Sequence, residues 1–165
     1  MSLPASLTGK AGEVLELCLL HGVTLATAES CTGGLAAAAL TAIPGSSRVV
    51  ERGFVTYSNQ AKHELLGVPD ALMVRHGAVS AEVARAMALG ALKHSHADLA
   101  VAVTGIAGPG GGTEGKPVGL VHLAVARGDC LVIRECRFGD IGRREVRLKA
   151  VEAAMEMLAS LLQPS

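Results

Sequence analysis

The residues best suited to chemistry lie in one stretch, Ala28-Glu29-Ser30-Cys31-Thr32-Gly33-Gly34, where two hydroxyls flank a thiol. The run Val23-Thr24-Leu25 leads in and an alanine-rich apolar run, Leu35 to Leu40, leads out. A strand that stops here and restarts as a helix leaves several backbone N–H groups unpaired at the helix start, aimed at one point. A nucleophile on such a turn is exposed, and nearby N–H groups can stabilise the oxyanion formed when it attacks a carbonyl. Ser30, Cys31 and Thr32 are all candidates. Ser and Thr are also preferred helix caps, and a glycine pair eases close packing, so the stretch taken alone reads first as a capped turn.

A hydroxyl nucleophile needs a base. No histidine is spaced to suggest a triad, whereas Lys62 lies four residues after Ser58 at the start of an expected helix, so both can share one face. A lysine serves as a base once burial or a neighbouring cation lowers its pKa. Spacing does not join Lys62 to Ser30. A second loop, Thr104 to Thr113, is rich in glycine, which lets backbone approach a ligand closely, and Thr104 offers a hydroxyl at its start. Gly110 to Lys116 fits GxxxxGK, but Pro117 stands where a Ser or Thr would hold magnesium. A strand, not a helix, is expected next, so an ATP-binding P-loop is rejected.

The elements that must position these loops follow from periodicity and punctuation. Helices are expected over Gly12–Leu20, Gly33–Thr41, Asn59–Leu66, Ser80–Lys93 and Arg143–Leu162, and strands over Val23–Thr27, Gly53–Tyr57 and Leu99–Val103. Val118–Ala126 and Leu131–Phe138, joined by Arg127-Gly128-Asp129-Cys130, read as a β-hairpin. Helices alternate with strands early and a hairpin comes late. That order implies a mixed α/β sheet layered between helices (α/β/α), in a single compact domain over residues 1–165, with the site in loops at strand ends.

Composition narrows the function. Half of the 165 residues are hydrophobic and 18% are charged, a balance that folds around a core. Fifteen basic residues offset fifteen acidic ones, and Phe54, Tyr57 and Phe138 are too few to stack bases, so nucleic acid is not an expected partner. No apolar run reaches the roughly 18 residues of a membrane span, and Met1-Ser2-Leu3-Pro4 lacks a signal-peptide profile, so a cytoplasmic location is expected. The cysteines (Cys18, Cys31, Cys130, Cys136) form no CxxC pair, and His94 and His96 near Asp98 read as a helix flank. Neither a disulfide, a metal nor a cofactor is expected. Alanines expected to be exposed on the helices suit a homo-oligomer, such as a dimer.

The stretch 28–34, Pro44-Gly45-Ser46-Ser47, Val55 to Lys62, Gly77-Ala78-Val79-Ser80, Thr104 to Pro109 and Lys116-Pro117-Val118-Gly119 together resemble the C-terminal domain of the CinA family, the competence-damage-inducible proteins. Standalone members of that family resemble nicotinamide-nucleotide amidohydrolases, which convert nicotinamide mononucleotide and water to nicotinate mononucleotide and ammonia. The resemblance implies Ser30 as nucleophile, Lys62 as general base and Tyr57 near enough to tune the proton relay. It also implies N–H groups near Thr32, Gly33 and Gly34 for the oxyanion, and a nucleotide pocket lined by Ser46, Thr104 and the loop from Gly105 through Gly108 to Gly112. The family usually carries Gly-Asp-Arg before its last helix. Here Ile141-Gly142 separate Gly139-Asp140 from Arg143, leaving Arg143, Arg144 or Arg147 to meet a phosphate, with Arg143 the nearest match. A non-catalytic ligand-binding module, or an amidase for another small nucleotide, are the alternative expectations.

Overall fold

The computed structural model describes residues 2–164, so Met1 and Ser165, the outer ends of the expected domain, lie outside the described residues. Helix α1 (Ala5–His21) buries Leu7, Ala11, Val14, Leu15 and Cys18 along one stripe. It begins earlier than the sequence pattern suggested. Gly22, in the left-handed conformation at φ 64°, ends it, and Val23 donates its N–H to the Cys18 carbonyl. Val23 therefore belongs to the helix cap, and strand β1 starts later than expected, at Leu25–Glu29.

The chain continues through α2 (Leu35–Thr41), a 3-10 turn (Ser46–Arg48), β2 (Val50–Val55), α3 (Asn59–Leu66), α4 (Asp70–His76) and α5 (Ala81–Lys93). It closes with β3 (Leu99–Gly105), β4 (Leu120–Arg127), β5 (Cys130–Arg137) and α6 (Arg143–Leu162). The strand order is β2-β1-β3-β4-β5, parallel across the first three and antiparallel from β3 to β5, which is the expected mixed α/β architecture. Helix α4 was not anticipated. Pro69 and Asp70 suit a helix start, but seven residues are too few to show a period.

The sheet has two dissimilar faces. Leu25, Leu99, Val101, Val103, Leu123 and Val125 point to one side, where α1, α2 and α6 complete the larger core. Ala28, Ala100, Ala102, Ala124 and Ala126 point to the other, and these small residues let α5 lie close to the strands. Alternation along the strand thus sends Glu29 toward α2 and Ser30 toward α3, a division that governs the site. The alanines at 36, 39, 84, 88 and 91 are fully buried and pack the core, while Ala38 on α2 and Ala71 on α4 are exposed. Among the described residues, no helix is long and apolar enough to cross a membrane.

Candidate active site

Ser30 follows the last residue of β1, and its N–H donates to the Val103 carbonyl at 3.0 Å, so the turn continues the sheet for one residue. Gly33 and Gly34 then take φ 59° and 103°, conformations open to glycine, and bend the chain into α2. These two residues lie in the turn instead of opening the helix.

The start of α2 is not an open anion site. The Glu29 carboxylate, 1% exposed, accepts from the N–H groups of Ala36 at 2.8 Å and Ala37 at 3.1 Å, and from the Thr32 hydroxyl at 2.6 Å. The protein's own carboxylate therefore fills the place a substrate anion was expected to occupy, and it replaces the capping role foreseen for Ser or Thr. Sequence reading passed over Glu29. The available signal was an acidic residue at the strand end, a few positions before an uncapped run of alanines.

Helix α3 brings the base. Ser58 caps it by accepting from the Ala61 N–H at 3.0 Å, and Lys62, one turn in, is buried. Lys62 is 1% exposed, and its Nζ lies 3.0 Å from Ser30 Oγ, 2.9 Å from the Thr56 carbonyl and 3.4 Å from the Tyr57 carbonyl. Carbonyls only accept. A neutral amine has two N–H donors and one lone pair, so the carbonyls can take both donors while the lone pair receives the Ser30 hydroxyl proton. Burial holds the Lys62 pKa below the ordinary lysine value of 10.5, in keeping with that arrangement. The strand expected to run through Tyr57 ends instead at Val55, which frees Thr56 and Tyr57 to turn their carbonyls toward Lys62.

Cys31 is the rival nucleophile at this turn. Burial pushes its thiol up to about 12, which disfavours the thiolate that would act as a nucleophile. Tyr57, 59% exposed, stands at the rim, where its hydroxyl accepts from Arg143 Nη2 at 2.7 Å; its carbonyl, not its ring, touches Lys62. Arg143 also donates to the Gly108 carbonyl at 2.8 Å and so ties α6 to the glycine-rich loop.

These groups line a cleft of about 270 Å³ with Ser30, Lys62, Tyr57, Thr104, Gly105, Gly108 and Arg143 in its wall, joined by Cys31, Asn59, Ala78, Val79 and Ile106. The Thr104 hydroxyl proton is already donated to the Ala78 carbonyl at 2.9 Å. The structure does not bring Thr32, Gly33, Gly34 or Ser46 into this lining. The Thr32 hydroxyl is spent on Glu29, the Gly33 N–H donates to the Ser30 carbonyl, and Ser46 opens the 3-10 turn before β2. Of the three arginines, Arg144 is ion-paired with Glu145 and Arg147 donates to the Thr32 carbonyl, leaving Arg143 in the cleft. A wider cleft of about 650 Å³ lies beyond Gly110 and Gly111 and holds neither Ser30 nor Lys62. Among the described residues, no group of three His, Cys, Asp or Glu is placed to hold a metal.

Fold and cleft together define a three-layer α/β protein with a buried serine–lysine pair at the carboxyl ends of parallel strands. The family described as the CinA C-terminal domain matches residues 7–162, and the chain belongs to it. The nicotinamide-nucleotide amidohydrolase PncC of Escherichia coli is 52% identical over 140 residues, covering 84% of each chain. A CinA-like protein of Syntrophus aciditrophicus is 51% identical over 92% of this chain but only 36% of its own length. The chain thus spans about a third of such longer relatives. The crystal structure of the competence/damage inducible protein CihA from Agrobacterium tumefaciens superposes with a TM-score of 0.96 at 53% identity, over 99% of this chain and all of that one.

Proposed function

We propose that the protein is an amidohydrolase that removes the carboxamide nitrogen of nicotinamide mononucleotide, yielding nicotinate mononucleotide and ammonia. The observation that carries this reading is the 3.0 Å approach of Lys62 Nζ to Ser30 Oγ in the wall of an open cleft. The identity to the Escherichia coli amidohydrolase supports the choice of substrate.

In this mechanism Ser30 Oγ attacks the carboxamide carbon as Lys62 takes its proton. The oxyanion accepts from the Cys31 N–H, the residue following the nucleophile, rather than from Gly33, whose N–H is committed within the turn. The Lys62 ammonium then protonates the departing amine, the C–N bond breaks, and ammonia leaves an acyl-enzyme. Water deprotonated by Lys62 attacks that ester, releasing the carboxylate and restoring the serine hydroxyl. Arg143, at the rim, is the residue assigned to the nucleotide phosphate. It reaches that role by exchanging its bonds to Tyr57 and Gly108 for phosphate oxygens.

Ammonia release from nicotinamide mononucleotide, in chelator-containing buffer, tests the reading. Unmodified protein is expected to turn over, while Ser30→Ala and Lys62→Met fall by at least about 100-fold, the low end for a lost general base. Turnover in Ser30→Ala would overturn the assignment. The chain's one-third share of the longer CinA-like relatives favours one other reading, an accessory ligand-binding module, which predicts nucleotide binding without ammonia.

A further inference from the structure

Lys116, whose GxxxxGK spacing led to no phosphate site, has a different employment. Its Nζ donates to the His76 carbonyl at 2.5 Å and to the Val79 carbonyl at 2.7 Å. Between them the Gly77 carbonyl accepts from the Ser80 hydroxyl at 2.8 Å and the Ala78 carbonyl from the Thr104 hydroxyl at 2.9 Å. Every carbonyl from 76 to 79 is thus held by a side chain. Among the described residues, no backbone N–H donates to any of them. Its backbone pairing is confined to the end of α4, where the Gly77 N–H donates to the Met73 carbonyl at 2.8 Å; beyond that cap the segment takes its position from the side chains that bind it. Ser80 belongs to the same segment and Thr104 to the strand beneath, so Lys116 alone reaches it from the far end of the glycine-rich loop. Lys116 is also fixed in that loop, since its carbonyl accepts from the Thr113 N–H at 2.8 Å and its N–H donates to Thr113 Oγ1 at 3.2 Å. Gly77 leaves room for the contact: a Cβ there would stand 2.8 Å from Lys116 Nζ.

The two segments joined in this way face each other across the cleft, one through Ala78 and Val79, the other through Gly108, Gly110 and Gly111. We propose that Lys116 is a positioning residue that sets the width of the substrate cleft by clamping the 76–79 wall to the glycine-rich loop. It touches neither Ser30 nor Lys62, so its loss acts on substrate binding more than on the chemical step. This rests on the amidohydrolase reading for its kinetic consequence but not for the clamp itself.

The test compares unmodified protein with Lys116→Met and with Lys116→Cys aminoethylated at sulfur, which restores an ammonium at the same reach. Aminoethylated unmodified protein controls for the exposed Cys130. Lys116→Met is expected to raise KM for nicotinamide mononucleotide about 10-fold with kcat within about 3-fold, a split that marks lost ground-state binding. Amide hydrogens of residues 76–80 should exchange faster, and aminoethylated Lys116→Cys should recover both properties. An unchanged KM, or a loss confined to kcat, would overturn the positioning role. Unchanged exchange in 76–80 would overturn the clamp even in an active enzyme. If unmodified protein released no ammonia, the amidohydrolase reading would fail alone, and exchange would still decide the clamp.

Discussion

Lys62 is a long amine only 1% exposed, and that burial is adverse for the fold in the same measure that it suits a base. Its proton is held less tightly in the folded protein than in the unfolded chain, so between the lowered pKa and 10.5 the unfolded state binds more protons. Stability contributed at this position therefore rises with pH across that interval and is lowest below it. Lys62→Met should abolish this rise and melt at a higher temperature than the unmodified protein at neutral pH, as paired thermal denaturation from pH 6 to 10 will show. Catalysis should follow the same titration, with kcat/KM climbing as Lys62 loses its proton and then levelling. Cys31 gives a second prediction. With its thiol near 12 and buried, iodoacetamide at pH 8 should modify the exposed Cys130 while ammonia release persists, and Cys31→Ala should keep activity within about 3-fold. Mass spectrometry of the labelled protein, assayed in parallel, checks both statements.

At the scale of elements, the position of α3 decides whether Lys62 meets Ser30, and α3 is set by its contact with α5. Gly90 lies where those helices touch: a Cβ on it would fall 2.0 Å from the Leu66 carbonyl oxygen, four residues beyond Lys62. Backbone cannot yield as a side chain can, so Gly90→Ala should push α3 outward. Such overpacking typically costs up to about 3 kcal/mol, and kcat should fall with it. Chemical denaturation together with steady-state kinetics measures the pair, and unimpaired kcat would refute the coupling. The helices Asn59–Leu66 and Arg143–Leu162 were legible to the residue, because Ser58 and Gly67 bracket the first and a long periodic stripe defines the second. The first two strands were placed two to three residues away from their true positions. Pairing of β1 with both β2 and β3 extends it through Ala28 and Glu29, residues with little strand preference of their own.

For the molecule as a whole, the two faces of the sheet divide the work. The face covered by α1, α2 and α6 holds the bulky aliphatic core, while the alanine face brings α5 close and leaves space for the cleft at the strand ends. Stability and activity should therefore separate. Leu158 on α6 is wholly buried in the larger core, and Leu158→Ala should cost about 2–5 kcal/mol of unfolding free energy. Under conditions where the variant is folded, kcat/KM should stay within about 2-fold, which urea denaturation and an ammonia assay at low temperature will check. Arg143 is the exception to this division. It starts α6 yet closes the rim through Tyr57 and Gly108, so the last helix both fills the core and borders the site.

By itself the sequence determined what depends on local order: the serine caps of α3 and α5, the hairpin turn, the apolar periods and the strand-to-helix turn carrying Ser30. It also confined the candidate chemistry to a few hydroxyls, one thiol and one lysine. The tertiary structure decided what depends on distance and solvent. It placed Lys62 on Ser30 although 32 positions separate them, raised the Cys31 thiol pKa by burial, left Arg143 of the three arginines in the cleft wall, and gave the helix start to Glu29 instead of a ligand. The reason is physical. A reactive group is made by what desolvates it and what donates to it, and in this fold those neighbours arrive from other strands and helices.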